Sequence, residues 1–133
     1  MQSFSLLNMR YSSTNYLIKL CIYPLLEEEC RRLKIPKNFI LGIYVFYCKD
    51  GIVGYVEEIR ERNKVIGVRI KIGDCIESSR ELLKVFFHEM FHVKEIYEGK
   101  KKLFSEFLAD LYAEKRILQL MLTKWKYKNC FSI

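Results

Sequence analysis

Two histidines four residues apart, with a glutamate directly after the first, are the residues whose types and spacing can do chemistry. They stand in the segment HEMFH at 88–92, which has the pattern H-E-x-x-H and lies in a predicted helix. Four residues along a helix rotate by roughly 40° and rise by about 6 Å, so both imidazoles project from one face and can hold one metal ion. Glu89 lies beside the place of a metal-bound water, whose proton it can take and later deliver to the leaving amine. The pattern predicts a zinc site with His88 and His92 as ligands and Glu89 as general base.

The alternative interpretation is that the two histidines only pack against neighbours, cap the helix or lie on its surface. The composition disfavours it, because the chain has only two histidines. Random placement would give them this spacing, with a glutamate after the first, about once in several hundred sequences. We therefore expect the histidines to bind metal.

A third protein ligand is expected from a neighbouring element, because catalytic zinc sites of this type use three protein ligands and a water. Glu106 is the candidate, since it stands in the segment SEFLAD at 105–110 on a largely apolar helix. Asp110, one turn further, can accept the second ring N–H of a ligand histidine and fix its tautomer. Two alternatives stay open: Glu106 can be a solvated residue near the helix start, and Asp110 can itself be the ligand. Glu95 shares the face of His88 but lies about 10 Å along the axis from it, too far to share one ion.

With these motifs, HEMFH at 88–92 and SEFLAD at 105–110, the chain resembles the gluzincins, and its short length is similar to that of the archaeal minigluzincins. The resemblance implies a zinc metalloendopeptidase with a zincin fold. This fold has a small twisted sheet backed by one helix, an active-site helix and a glutamate helix. The resemblance also implies that extended peptide or unfolded protein substrate binds along the edge strand of the sheet. Residues 54–58 are the preferred candidate for that edge.

The chain differs from larger gluzincins in its short connection between His92 and Glu106, and it has no third histidine to stabilise the oxyanion. A tyrosine can replace that histidine by donating a hydrogen bond, and Tyr112 is our candidate. A short gluzincin can also be inhibited by self-association or by its own tail, here KWKYKNCFSI at 124–133.

Two other functions are compatible with the motif. The domain can be a metal-binding regulator with little turnover, and the net charge of +7 allows a nucleic-acid partner, although the positive residues are spread along the chain. The metal can also be purely structural, clamping two helices of a small domain. Glu89 disfavours the structural site, which is normally closed by four protein ligands and has no use for a carboxylate beside the ion.

Hydrophobic periodicity predicts the elements that position these residues. Apolar residues at helical spacing indicate a first helix over 13–33. Pro24 is the objection to it, and the alternative is a strand over 16–22 followed by a helix that begins at Pro24. Segments rich in β-branched and aromatic residues, separated by turn signals, predict a three-stranded antiparallel meander with strands at 39–48, 52–59 and 65–73.

Two helices follow the predicted sheet. The first spans 79–98, with Ser78 and Glu81 as a capping box and Gly99 as a left-handed cap. The second runs from 103 to about 125 and places several large apolar residues along one side: Phe104, Phe107, Leu108, Leu111, Ile117, Leu118 and Leu122. We therefore predict a single α+β domain over 1–133, with a backing helix, a mainly antiparallel sheet, an active-site helix and a glutamate helix.

Composition agrees with one globular domain. Of the 133 residues, 50% are hydrophobic and 29% are charged, without a linker or a low-complexity tract. No signal peptide is evident and no run approaches the roughly 18 apolar residues of a membrane span, so we expect a cytoplasmic protein without a membrane partner. Five cysteines without a C-x-x-C pair disfavour a cysteine-built zinc site. Abundant Lys, Glu, Ile and Tyr with only two Gln is a composition typical of hyperthermophiles.

Overall fold

The computed structural model describes residues 6–7, 13–48 and 50–123. These residues form three helical segments and one β-sheet, so the predicted α+β class is confirmed. None of the helices in this part of the chain has the length and apolar content that a membrane span requires. The elements in chain order are β1 (Leu6–Leu7), α1 (Ser13–Leu17), a π-helical turn (Ile18–Ile22), α2 (Tyr23–Arg32), β2 (Ile40–Phe46), β3 (Gly54–Glu61), β4 (Lys64–Gly73), α3 (Ser79–Glu98) and α4 (Ser105–Leu122).

The first helical segment passes through Pro24 because a π-helical turn precedes the proline. Proline has no N–H, and inside a helix its ring clashes with the carbonyl four residues earlier. Here the N–H of Tyr23 donates to the carbonyl of Ile18, five residues back, and Pro24 stands in the first turn of α2, a position where proline is tolerated. The predicted helix over 13–33 is confirmed, and the alternative strand over 16–22 is wrong.

The sheet is mixed, so the predicted antiparallel meander is wrong. The strand order is β1-β2-β4-β3, in which β2 runs parallel to β1 and β4, and only β3 pairs antiparallel with β4. The nearly continuous apolar sequence of β2 suits an interior strand with parallel neighbours, whereas the charged residues of β3 suit an edge. Because β3 ends the described sheet, the preference for residues 54–58 as edge strand is confirmed.

A disulfide between Cys48 and Cys75 holds the chain where it crosses from β2 to β3. The two cysteines follow β2 and β4, whose carboxyl ends lie side by side in the parallel pair. The N–H of Cys48 also donates to the Asp74 carboxylate at 3.1 Å. The turn signal at 49–51 therefore marks a crossover instead of a hairpin. Cys21 and Cys30 lie in the buried core.

Helix α3 is the central element, because it contacts β3, β4, the first helical segment and α4. It begins where the Ser78 hydroxyl accepts the N–H of Glu81 at 3.1 Å, and it ends at Gly99, which has a φ of 72°. The predicted helix over 79–98 and both of its ends are confirmed. Seven of its apolar side chains are buried: Leu82, Leu83, Val85, Phe86, Phe87, Met90 and Val93.

Helix α4 packs on α3 through small side chains, and its large apolar residues face outward. The buried positions include Ala109, Ala113, Ile117 and Leu120. Of the residues that the sequence places along one side of this helix, Ile117 alone is buried, and five are exposed: Phe104, Phe107, Leu111, Leu118 and Leu122. The predicted apolar side is thus mostly the solvent side, because alanines allow the closer helix contact. Trp125, the predicted end of the helix, lies outside the described residues.

Candidate metal centre

Helices α3 and α4 bring His88, His92 and Glu106 together. One ligand atom from each of the three lies within 4.8 Å of the others. The Nε2 atoms of the two histidines are 3.2 Å apart, and the Glu106 carboxylate oxygens lie 3.2 Å from Nε2 of His88 and 2.7 Å from Nε2 of His92. The i, i+4 spacing sets both imidazoles on one face of α3, and the close packing of α4 on α3 brings up Glu106 from the first turn of α4.

The second nitrogen of each imidazole meets a carboxylate. Nδ1 of His88 lies 2.7 Å from Oδ1 of Asp110, and Nδ1 of His92 lies 2.8 Å from Oε1 of Glu95. An ionised carboxylate can only accept, so we assign the hydrogen of each ring to Nδ1; in this tautomer a neutral ring would present the lone pair of Nε2 towards Glu106. The structure therefore places Asp110 beside a ligand candidate, where the sequence predicts it.

With this assignment, two nitrogen lone pairs and the Glu106 carboxylate would face one another. A cation between them would attract all three groups. Zinc binds a donor set of two imidazole nitrogens and one carboxylate oxygen, and other divalent first-row metals bind the same set. The residues present thus fit a metal ion of this kind.

Glu95 contacts Nδ1 of His92. The distance between Glu95 and His88 along the helix does not predict this contact. Glu95 is buried, and it accepts hydrogen bonds from His92 Nδ1, from the Ser105 hydroxyl at 2.6 Å and from the backbone N–H of Lys102 at 2.7 Å. Burial acts to raise the pKa of Glu95, but the three hydrogen bonds together lower it below its usual value. Glu95 cannot share an ion with His88, yet its i, i+3 spacing from His92 lets it hold the other ring nitrogen.

Glu89 lies beside the two histidines and is buried against the edge strand. A Cβ atom on Gly54 of β3 would lie 3.1 Å from Oε2 of Glu89 and 2.6 Å from Cγ1 of Val85, so the backbone of β3 approaches α3 as closely as only glycine allows. Burial raises the pKa of Glu89, and Glu106 adds to this rise, while the two histidines act to lower it. A carboxylate with a raised pKa is suited to accept a proton and return it.

A cleft of about 1050 Å³ runs between β3 and α3. The cleft is lined by His88, Glu89, His92 and Glu106, together with the segment from Ile52 to Val56, which leads into β3. Within the described sheet β3 has a neighbour on one side only, and its residues Gly54, Tyr55 and Val56 line the cleft. The candidate centre therefore lies beside backbone groups that can pair with an added strand.

The structure does not bring Tyr112 to the cleft. Its hydroxyl donates to Glu29 of α2, and Glu29, which is fully buried, also accepts from Nε of Arg116 at 2.8 Å. Burial and the Glu29 carboxylate raise the pKa of the Tyr112 hydroxyl. The physical reason is helix geometry: two residues after Asp110, a side chain points about 200° around the helix from it. The network of Glu29, Tyr112 and Arg116 instead fixes α4 to α2.

The basic run at 100–102 is divided between the cleft and the helix connection. Lys100 and Lys101 line the cleft, whereas the backbone N–H of Lys102 is held by Glu95. Its ammonium group lies 5.4 Å from the centre of the Phe91 ring. The tail at 124–133, considered above as an inhibitor, lies outside the described residues.

Comparison of the chain with family profiles, with curated proteins and with solved structures finds no match. The resemblance to gluzincins therefore rests on the two motifs and stays a prediction.

Proposed function

We propose that this protein is a zinc-dependent peptidase of the gluzincin type. His88, His92 and Glu106 hold the metal ion, and Glu89 is the general acid and base. The observation that carries the proposal is a cluster of three possible ligand atoms, one each from His88, His92 and Glu106, within 4.8 Å of one another. The Nδ1 atoms of the two histidines face Asp110 and Glu95. Binding of a cation would explain why these three groups lie together.

The donor set favours a catalytic metal over a structural one. Within the described residues the cluster contains three ligands, and the nearby carboxylates of Asp110 and Glu95 are engaged by Nδ1 hydrogens. Three protein ligands leave a coordination position for water or substrate, whereas structural zinc normally has four. Bound zinc would acidify a water molecule and polarise the carbonyl of the scissile peptide bond.

Glu89 carries the proton through the reaction. Its carboxylate accepts a proton from the attacking water as the oxygen bonds to the carbonyl carbon. It then returns this proton to the amide nitrogen as the C–N bond breaks, so that the products are a carboxylic acid and an amine. Close contact with Gly54 holds the Glu89 carboxylate at the cleft, and Asp110 and Glu95 keep the two imidazoles in orientation.

The edge strand supports a peptide or an unfolded protein as substrate. Residues 52–56 line the same cleft as Glu89, and β3 is the last strand of the described sheet. An extended peptide can pair with such an edge through its backbone, which brings successive peptide bonds past the metal centre.

The test is cleavage of an unfolded protein by the zinc-loaded chain and by its Glu89→Gln variant. We expect the variant to keep its zinc and to lose roughly 10²–10⁴-fold in rate, as removal of a general base does. Glu81→Gln is the matched control, because Glu81 also lies on α3 and lines the cleft. Equal rates for wild type and Glu89→Gln would refute the mechanism. Stoichiometric zinc without cleavage in the wild type would favour the metal-binding regulatory domain.

A further inference from the structure

The side of α4 that faces away from α3 carries a stripe of large apolar side chains. Within the described residues, 13 large hydrophobic side chains are exposed, and seven of them belong to the segment 103–122, with exposed fractions from 41% to 79%. We call these seven residues the outer stripe: Leu103, Phe104, Phe107, Leu111, Leu118, Met121 and Leu122.

Five members of the outer stripe lie on α4 itself, and Leu103 and Phe104 directly precede it. At 100° per residue the five, from Phe107 to Leu122, fall within a sector of about 100° that is roughly 22 Å long. Glu114 is the polar residue in the middle of this sector, and Lys115 follows it at the border. Monomeric proteins seldom expose contiguous apolar patches larger than a few hundred Å². A surface of this kind therefore indicates a binding partner.

Phe104 strengthens this interpretation. Its φ of 59° is in the left-handed region, which is unfavourable for a bulky residue, and 72% of the residue is exposed. The Phe104 ring is therefore little buried within one copy of the chain, and its burial there offsets little of the cost of the left-handed backbone. Contact with a partner would bury the ring.

We propose that the outer stripe is the interface of a homodimer in which two copies of α4 pack antiparallel. A two-fold axis near Glu114 and Lys115 sets Leu111 of each copy opposite Leu118 of the other, and Phe107 opposite Leu122. It also sets Glu114 of each copy opposite Lys115 of the other. A parallel arrangement would instead set Glu114 against Glu114, so charge complementarity selects the antiparallel one. The contact is isologous and therefore closes with two copies.

The outer stripe is large enough to take part in a dimer interface. Seven large side chains that are 41% to 79% exposed offer several hundred Å² per copy, of the same order as the about 800 Å² that each partner contributes to a standard interface. None of the residues of the outer stripe lines the cleft, so dimerisation leaves the candidate metal centre accessible. The dimer proposal therefore does not depend on the proposed peptidase function.

The test is the mass of the full-length protein in solution, measured by sedimentation over a wide concentration range. We expect twice the 16.0 kDa of the chain. Leu118→Lys places a charge against the partner's Leu111, and we expect dissociation at least about tenfold stronger than in the wild type. Tyr16→Lys is the matched control, because Tyr16 is 63% exposed and lies outside the outer stripe. Its mass should equal that of the wild type.

Charge reversal tests the antiparallel register. Glu114→Lys should weaken the dimer, and adding Lys115→Glu should restore it, because the opposite charges then face each other again. Glu114 also pairs with Lys84 at 3.2 Å on the surface of one copy, a contact that contributes little to folding. Thermal unfolding of each variant checks that the fold is kept.

Several outcomes would overturn the dimer proposal. A wild-type monomer at all concentrations would do so, whether the outer stripe is then covered by the chain's own tail or binds lipid vesicles. A dimer that Leu118→Lys does not weaken would place the interface elsewhere. Zinc content, measured on the same samples, separates this result from a failure of the metal proposal, because Leu118 is not in the cleft.

Discussion

Replacing Glu95 with glutamine should weaken zinc binding more than replacing Asp110 with asparagine. Each carboxylate holds the Nδ1 hydrogen of one ligand histidine, and loss of such a partner typically lowers metal affinity 10- to 100-fold, or about 1.4–2.7 kcal/mol. Glu95 is buried and accepts from three donors, so we expect about the upper value for Glu95→Gln. The Asp110 side chain is 60% exposed, so water can replace part of its contact and about the lower value applies.

The same substitution should also lower the stability of the metal-free protein. Both oxygens of Glu95 accept hydrogen bonds, whereas glutamine has one oxygen and one NH2 group. The NH2 group of Glu95→Gln must therefore face the N–H of Lys102, or else His92 and Ser105, at a buried site. An unmade hydrogen bond of this kind costs about 1–3 kcal/mol.

Zinc affinity is measured by competition with a chelator, and the free energy of unfolding by urea denaturation without metal. Asp110→Asn serves as the exposed counterpart and should leave the stability within about 0.5 kcal/mol. If Asp110→Asn weakens zinc binding as much as Glu95→Gln or more, burial does not set the strength of these contacts. Unchanged zinc affinity in Glu95→Gln would refute the role of Glu95 in orienting His92.

Three further predictions follow from buried groups. In the metal-free protein, burial opposes ionisation of Glu89 and raises its pKa. The free energy of unfolding should therefore fall as the pH rises from the usual pKa of 4.5 through the raised pKa. Urea denaturation at several pH values measures this decline, and Glu89→Gln should remove it. Gly54→Ala sets a Cβ 2.6 Å from Val85 and should cost about 1–3 kcal/mol, part of which Val85→Ala should restore. Arg116→Met leaves Glu29 buried without its cation and should cost about 3–5 kcal/mol in thermal unfolding. The double variant with Glu29→Leu should regain part of this stability, because the buried charge is gone but Tyr112 has lost its acceptor.

Each of these three has a result that would contradict it. Equal pH slopes for wild type and Glu89→Gln would show that burial does not oppose ionisation of this carboxylate. If Val85→Ala does not restore the stability of Gly54→Ala, the steric conflict of the added Cβ is with Glu89 instead of Val85. A single Arg116→Met variant as stable as wild type would mean that Glu29 is solvated when its partner is lost.

The part of the site that lies on one helix could be predicted from the sequence. The spacing of His88 and His92 fixes their common face once α3 forms, and the capping signals at Ser78 and Gly99 define that helix. Glu106 and Asp110 required one more step, the packing of α4 on α3. The chemistry that zinc needs predicts Glu106 as a ligand and Asp110 as a histidine partner, and the structure brings both beside the histidines.

The parts that could not be predicted depend on contacts between distant segments. Alternation along a strand does not say which strand is its neighbour, so the parallel pairing of β2 with β4 was not evident. Local turn signals between β2 and β3 favoured a hairpin instead. Apolar spacing on α4 likewise did not say which side is buried, because Ala109 and Ala113 provide the contact with α3.

Diffraction from crystals of the zinc-loaded protein, recorded at the zinc absorption edge, tests the central claim most directly. We predict one anomalous peak at about 2.0–2.2 Å from Nε2 of His88, Nε2 of His92 and a carboxylate oxygen of Glu106, with a coordination position open to the cleft. A peak elsewhere, no peak, or a fourth protein ligand that closes the site would contradict the account.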